Sequence, residues 1–172
     1  MPTADLLIAI AQIAVALAGF SGLIAAIRTA APEGWHPRDI WSLSWMLGAS
    51  IGALVLALLP LWLTLFGWSE ELVYRVSSAF AFLFIGTFVC VMAGAGRRLT
   101  LGGYPPRVPL FPATIALLLG VAAAVAGGGA VGWLQQRVAP LYVGVLLSLL
   151  VASALVLAVF LILLARLAQS KS

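Results

Sequence analysis

The sequence predicts an all-α integral membrane protein: a bundle of five transmembrane helices with the N-terminus outside and the C-terminus in the cytoplasm. Three observations carry this prediction. The 172 residues are 64% hydrophobic and 8% charged, where soluble domains carry about 25% charged residues, and the mean hydropathy is +1.19. The apolar residues are gathered into five long runs. The basic residues divide unevenly between the two ends of those runs. Fourteen charged side chains would leave such a core uncovered in water, whereas hydrocarbon removes the difficulty.

The runs are 6–27, 43–66, 72–95, 110–134 and 141–165. Each meets the length of about 20 residues, at about 1.5 Å rise, that crosses a bilayer core. The third carries Arg75 near its start, but 76–96 is free of charge. The first lacks a basic leader, holds Asp5 and is longer than a signal-peptide core, so it is read as a retained helix. Residues 1–172 therefore form one transmembrane domain. The connections are short: Pro32, Gly34 and Pro37 lie in the first, and Gly and Pro fill 96–109. In the turn 67–71, Ser69 is placed to cap the third helix, with Glu70 and Glu71 in its first turn.

Five spans put the termini on opposite sides. One side receives Arg28, Arg38, Arg97, Arg98, Arg107, Arg166 and Lys171; the other receives Arg75 and Arg137. The positive-inside rule makes the first side cytoplasmic. Trp35, Trp41 and Tyr104 then fall at the inner boundary, and Trp68, Tyr74, Trp133 and Tyr142 at the outer one, the depth that amphipathic rings prefer. Trp45 and Trp62 lie a turn deeper and are expected between helices. The net charge of +4 follows from this topology, so no nucleic-acid partner is implied. The one cysteine, Cys90, sits in an apolar run and excludes an internal disulfide.

The two outer turns resemble each other, Gly67-Trp68-Ser69-Glu70-Glu71 against Gly132-Trp133-Leu134-Gln135-Gln136. Each following helix ends in Arg-Leu, which suggests a parallel repeat of helices 2–3 and 4–5. Small residues recur at intervals of four, where they let helices approach closely. Helix four carries Gly120, Ala124, Gly128 and Gly132, and helix one carries Ala14, Ala18, Gly22 and Ala26. Helix two offers Ser44, Gly48 and Gly52. Packing within the bundle is the plain reading of these stripes; the sharper one gives the helix-four stripe to a subunit contact. Pro60, which lacks the N–H that would bond the Leu56 carbonyl, and Gly127 are the hinge candidates.

No Lys, Arg, His, Asp or Glu lies near the middle of a span, which disfavours a proton-coupled carrier or a voltage sensor. Asp5, Gln12 and Gly19 are seven apart and share a stripe of helix one. Several copies around an axis would give an acidic ring above a neutral polar constriction, so the three are pore-lining candidates. Alternatively Gln12 bonds a neighbouring helix at Ser50, Thr87 or Ser148, and Asp5 is a solvated end residue. Ser21, Thr64, Ser77, Ser78, Thr114 and Ser153 are expected to bond their own helices. His36 is the single histidine and lacks an evident nucleophile beside Asp39. No catalysis, metal or cofactor is expected. Arg97, Arg98 and Arg107 are placed to contact anionic lipid head groups.

The segment Ala11-Gln12-Ile13-Ala14-Val15-Ala16-Leu17-Ala18-Gly19-Phe20-Ser21-Gly22 resembles the first helix of uncharacterised small bacterial multi-span inner-membrane proteins. The resemblance covers chiefly helix one. It implies a bacterial inner membrane and supplies no activity or site. The residues favour a homo-oligomeric pore or channel-like protein. A non-transporting subunit that binds a protein partner or lipid, and a carrier of a small hydrophobic molecule, are the alternatives. The topology is tested by impermeant thiol labelling of single cysteines in a Cys90→Ser background. Glu70→Cys should label from outside and Arg107→Cys only from the cytoplasmic side; labelling of both from one side contradicts the orientation.

Overall fold

The computed structural model describes residues 2–30, 36–106, 108, 111–133 and 137–169, with side chains of 2, 30 and 163–169 left aside. Among the described residues the structure is helical throughout: α1 (Pro2–Ala30), α2 (Pro37–Thr64), α3 (Glu70–Leu101), α4 (Phe111–Val131) and α5 (Val138–Gln169). All five are long and apolar enough to cross a membrane. Most outrun the apolar stretches that predict them. The 32 residues of α3 span about 48 Å at about 1.5 Å per residue, so the turns bearing Arg97 and Arg98 extend past a hydrocarbon core. Ser69 caps α3 as expected, accepting from the Leu72 amide at 3.4 Å.

Side-chain contacts fix the relative directions. Arg38 at the start of α2 reaches Gly96 near the end of α3, and Tyr74 and Tyr142, near the starts of α3 and α5, meet edge to face at 5.8 Å. Gly129 near the end of α4 lies against Ser78 near the start of α3. Neighbouring helices in sequence thus alternate in direction. α2 packs on α1, α3 and α5, while α3 and α4 form a closely packed pair on the far side from α1.

Glycine lets α2 and α3 interlock. A Cβ at Gly48 would stand 2.5 Å from the Phe88 ring and one at Gly52 would stand 2.1 Å from Phe84. Both spacings are four residues, so two stacked rings, 8° apart in plane, seat in two adjacent hollows. The small-residue stripe of α2 is used in this way at Gly48 and Gly52. Ala14 is buried, Ala18 half-buried and Gly22 exposed, because residues four apart drift around the helix. Gly120 and Ala124 are exposed and Gly128 and Gly132 half-buried; the bundle-facing residues of α4 are Ile115, Leu119, Ala122, Ala126 and Gly129. Packing of the Gly120 stripe within the chain is therefore replaced by packing of the adjacent alanine face.

Polar groups inside the bundle are joined across helices. Ser50 and Ser153 share a hydrogen bond of 2.8 Å, and Ser153 also donates to the Met46 carbonyl at 3.1 Å. The expectation that Ser153 bonds its own helix is corrected: α2 lies close enough to offer a better-placed acceptor. Ser21 and Thr64 do bond their own helices. Tyr142 donates to the Leu56 carbonyl at 2.6 Å, the acceptor that Pro60 leaves without an amide. Tyr74 and Tyr142 are thus core residues rather than boundary anchors, since each ring finds neighbours inside the bundle. Trp62 departs in the other direction: it is 56% exposed and rests on Phe66. The hinge candidates Pro60 and Gly127 both lie within unbroken helices.

Gly67 and Gly132, at the ends of α2 and α4, both take positive φ, 72° and 85°, the region that stops a helix cheaply only with glycine. Tyr142→Phe strands the Leu56 carbonyl away from water. It should lower stability in detergent by about 1–2 kcal/mol, and Gly52→Leu, which overfills the Phe84 hollow, by about 1–3 kcal/mol. Thermal melts of the two variants against the parent check both values.

Candidate functional site

Two places stand out once the bundle is built. The first is the outer face of α1. Its core side is Leu7, Ile10, Ala11, Ala14, Ser21 and Ile24, all buried. Asp5, Gln12 and Gly19 lie on the opposite side and are exposed. They share that side with Ile8, Val15, Gly22 and Ala26, which are exposed too. These seven positions alternate in steps of three and four, the spacing of a helix–helix seam. A Cβ at Gly19 or Gly22 would meet nothing within 4 Å. The seam is open along the length of the helix.

Gln12 makes no hydrogen bond among the described residues, and two of its three expected partners, Ser50 and Ser148, are engaged elsewhere. Ser50 is taken by Ser153, and Ser148 donates to the Gly144 carbonyl at 2.9 Å. A bond from Gln12 to a neighbouring helix of the same chain is therefore absent among the described residues, because the seam faces away from α2 and α5.

The second place is the arginine-rich end. Pro at the first position of α2 starts the helix, and His36 caps it by accepting from the Arg38 amide at 3.2 Å. That start buries Arg38 and Asp39. Asp39 pairs with Arg28 of α1. Arg38 donates from Nε to the Tyr104 carbonyl at 2.7 Å and from Nη2 to Thr100 Oγ1 at 2.6 Å and the Gly96 carbonyl at 3.2 Å. It also lies 5.3 Å over the Trp41 ring, and Trp41 donates to the Met92 carbonyl at 3.0 Å. The ends of α1, α2 and α3 and the segment after α3 are thus tied by one cluster. Sequence reasoning placed Arg38 among topogenic charges and passed over this role. The signal available was its position beside Pro37, which commits the residue to the first turn of a helix.

Of the predicted lipid contacts, Arg97 and Arg98 are exposed at this end, on two different grooves; Arg107 lies outside the described residues. The segment Gly48-Ala49-Ser50-Ile51-Gly52 has the Gly-x-Ser-x-Gly spacing of hydrolase nucleophiles. Ser50 sits in mid-helix, buried and bonded to Ser153, with both glycines filled by phenyl rings. That is far from an exposed serine on a strand-to-helix turn.

Comparison with protein-family models, curated proteins and solved structures found no match. The charge cluster gives a first test. Asp39→Ala leaves Arg28 without its carboxylate and should cost about 3 kcal/mol in stability. Changing both to apolar residues should cost less than the single change, read from melts of the three variants.

Proposed function

We propose that the protein is a homo-oligomeric, channel-like protein of the bacterial inner membrane, N-terminus outside, in which the α1 seams of several copies meet. Gln12 is the observation that carries this reading. An amide turned to hydrocarbon without a partner costs at least about 2 kcal/mol, and a second seam offers the missing partner. One interhelical hydrogen bond in a membrane averages only about 0.6 kcal/mol. Gln12 therefore sets register, and close approach at Gly19, Gly22 and Ala26 supplies most of the attraction.

With the seams together, Asp5 forms a ring of carboxylates at the outer mouth. Gln12 forms a polar constriction about 10 Å below it, seven residues along the helix. Carboxylate rings concentrate cations, and amide oxygens replace part of an ion's hydration shell. Ile8 and Val15 supply apolar rings on either side of Gln12, where dewetting would close the path. The resulting activity is cation-selective conduction.

Mass in detergent and ion flux from liposomes test the two halves of this reading. The parent should run as a multiple of the chain mass and conduct cations. Gln12→Leu should cut flux at least tenfold, Asp5→Ala should lower cation preference, and Gly19→Leu should shift the mass toward the monomer with the fold intact. A monomeric parent contradicts the oligomer, and an oligomer whose flux ignores both Asp5 and Gln12 contradicts the lining. Co-purification with a different protein on this face would favour the non-transporting reading instead.

A further inference from the structure

At the arginine-rich end a groove of about 570 Å³ lies between α3 and α4. α2 contributes Arg38, Trp41 and Trp45 to it, α3 contributes Arg97, and α4 contributes Ala113 and Ala116. Three features of this groove point to a ligand, independently of the α1 seam.

Arg38 is only 5% exposed, yet its hydrogen bonds end on two carbonyls and a hydroxyl. Those acceptors orient the guanidinium and are themselves neutral. Arg97 adds a second cation at the same mouth. Trp45 is 4% exposed, its ring meets Phe88 edge to face at 4.9 Å, and its indole Nε1 is enclosed by the chain with no hydrogen-bond partner among the described residues. A buried indole N–H ordinarily finds an acceptor. Trp45 lies seven residues along α2 from Arg38, about 10 Å deeper into the membrane region. The walls beside it are predominantly apolar. The groove is thus cationic at its mouth and apolar along its depth, with the Trp45 ring in its wall.

We propose that this groove binds an anionic phospholipid from the leaflet at the arginine-rich end. The head-group phosphate sits between Arg38 and Arg97. The glycerol backbone lies below it against the Trp45 ring, and an acyl chain runs along Ala113 and Ala116. A free phosphate would use only the mouth, and a zwitterionic lipid brings the same phosphate together with an ammonium that the two arginines repel. Bound there, the lipid joins α2, α3 and α4 at the end where Arg38 already ties α2 to α3.

Native mass spectrometry of the full chain, released from micelles holding equal phosphatidylglycerol and phosphatidylcholine, tests the proposal. The parent should retain one phosphatidylglycerol in preference. Arg97→Ala should lower its occupancy about fivefold, whereas Arg98→Ala, which removes the same charge from the neighbouring groove lined by Cys90, should leave it unchanged. Ala116→Phe fills the groove where the acyl chain runs and should weaken binding several-fold. Each variant is first matched to the parent in melting temperature and mass, and Ala113→Leu replaces Ala116→Phe if the latter fails this check. Equal retention of both lipids, an equal loss in the two arginine variants, or equal binding of glycerophosphate lacking acyl chains would overturn it.

Discussion

Water is absent from the middle of a bilayer, so each polar group carried into it must be answered by protein or left at a cost of kilocalories. The interior of this bundle is organised by that demand. Pro60 frees the Leu56 carbonyl, and Tyr142 from α5 supplies the donor. Ser153 meets Ser50 and the Met46 carbonyl across the same pair of helices. Trp41 answers a carbonyl of α3. These bonds hold α2 at the centre, and the glycine hollows that take Phe84 and Phe88 fix its distance from α3. What remains unanswered then becomes informative. Gln12 on the open seam, and Trp45 Nε1 and Ser77 Oγ in the interior, have no hydrogen-bond partner among the described residues.

Helix number and span were legible because they follow from long-range composition. A run of about 20 apolar residues has few structural solutions, and local ambiguities average out over it. The fate of single aromatics was not legible. Tyr142 looks like a boundary residue by depth alone, and only the placement of α5 opposite Pro60 turns its hydroxyl inward. Trp62 shows the reverse, since its depth suggests packing while its helical phase turns it outward. Depth is written in sequence distance, but rotation about each helix axis depends on neighbours.

The candidate site was legible to the same extent. The heptad spacing of Asp5, Gln12 and Gly19 puts them on one stripe whatever surrounds α1, so their common face could be read directly. Whether that face met α2 or lipid could not, because every face of α1 is apolar enough for either. Arg38 was opaque for a related reason. Its acceptors, Gly96, Thr100 and Tyr104, lie some sixty residues away and include two backbone oxygens, which no side-chain pattern announces. The small-residue stripe of α4 shows the limit of motif reading: its spacing is regular, yet the adjacent alanines carry the packing.

The claim on which the functional account turns is that the open seam of α1 meets the same seam of another copy. Cysteine cross-linking in native membranes tests it most directly, with Gln12→Cys and the buried-face Leu7→Cys each placed in a Cys90→Ser background. The account predicts covalent dimers from Gln12→Cys and none from Leu7→Cys; a chain that stays monomeric with cysteine at position 12, under oxidation that cross-links a known dimer in the same membranes, would contradict it.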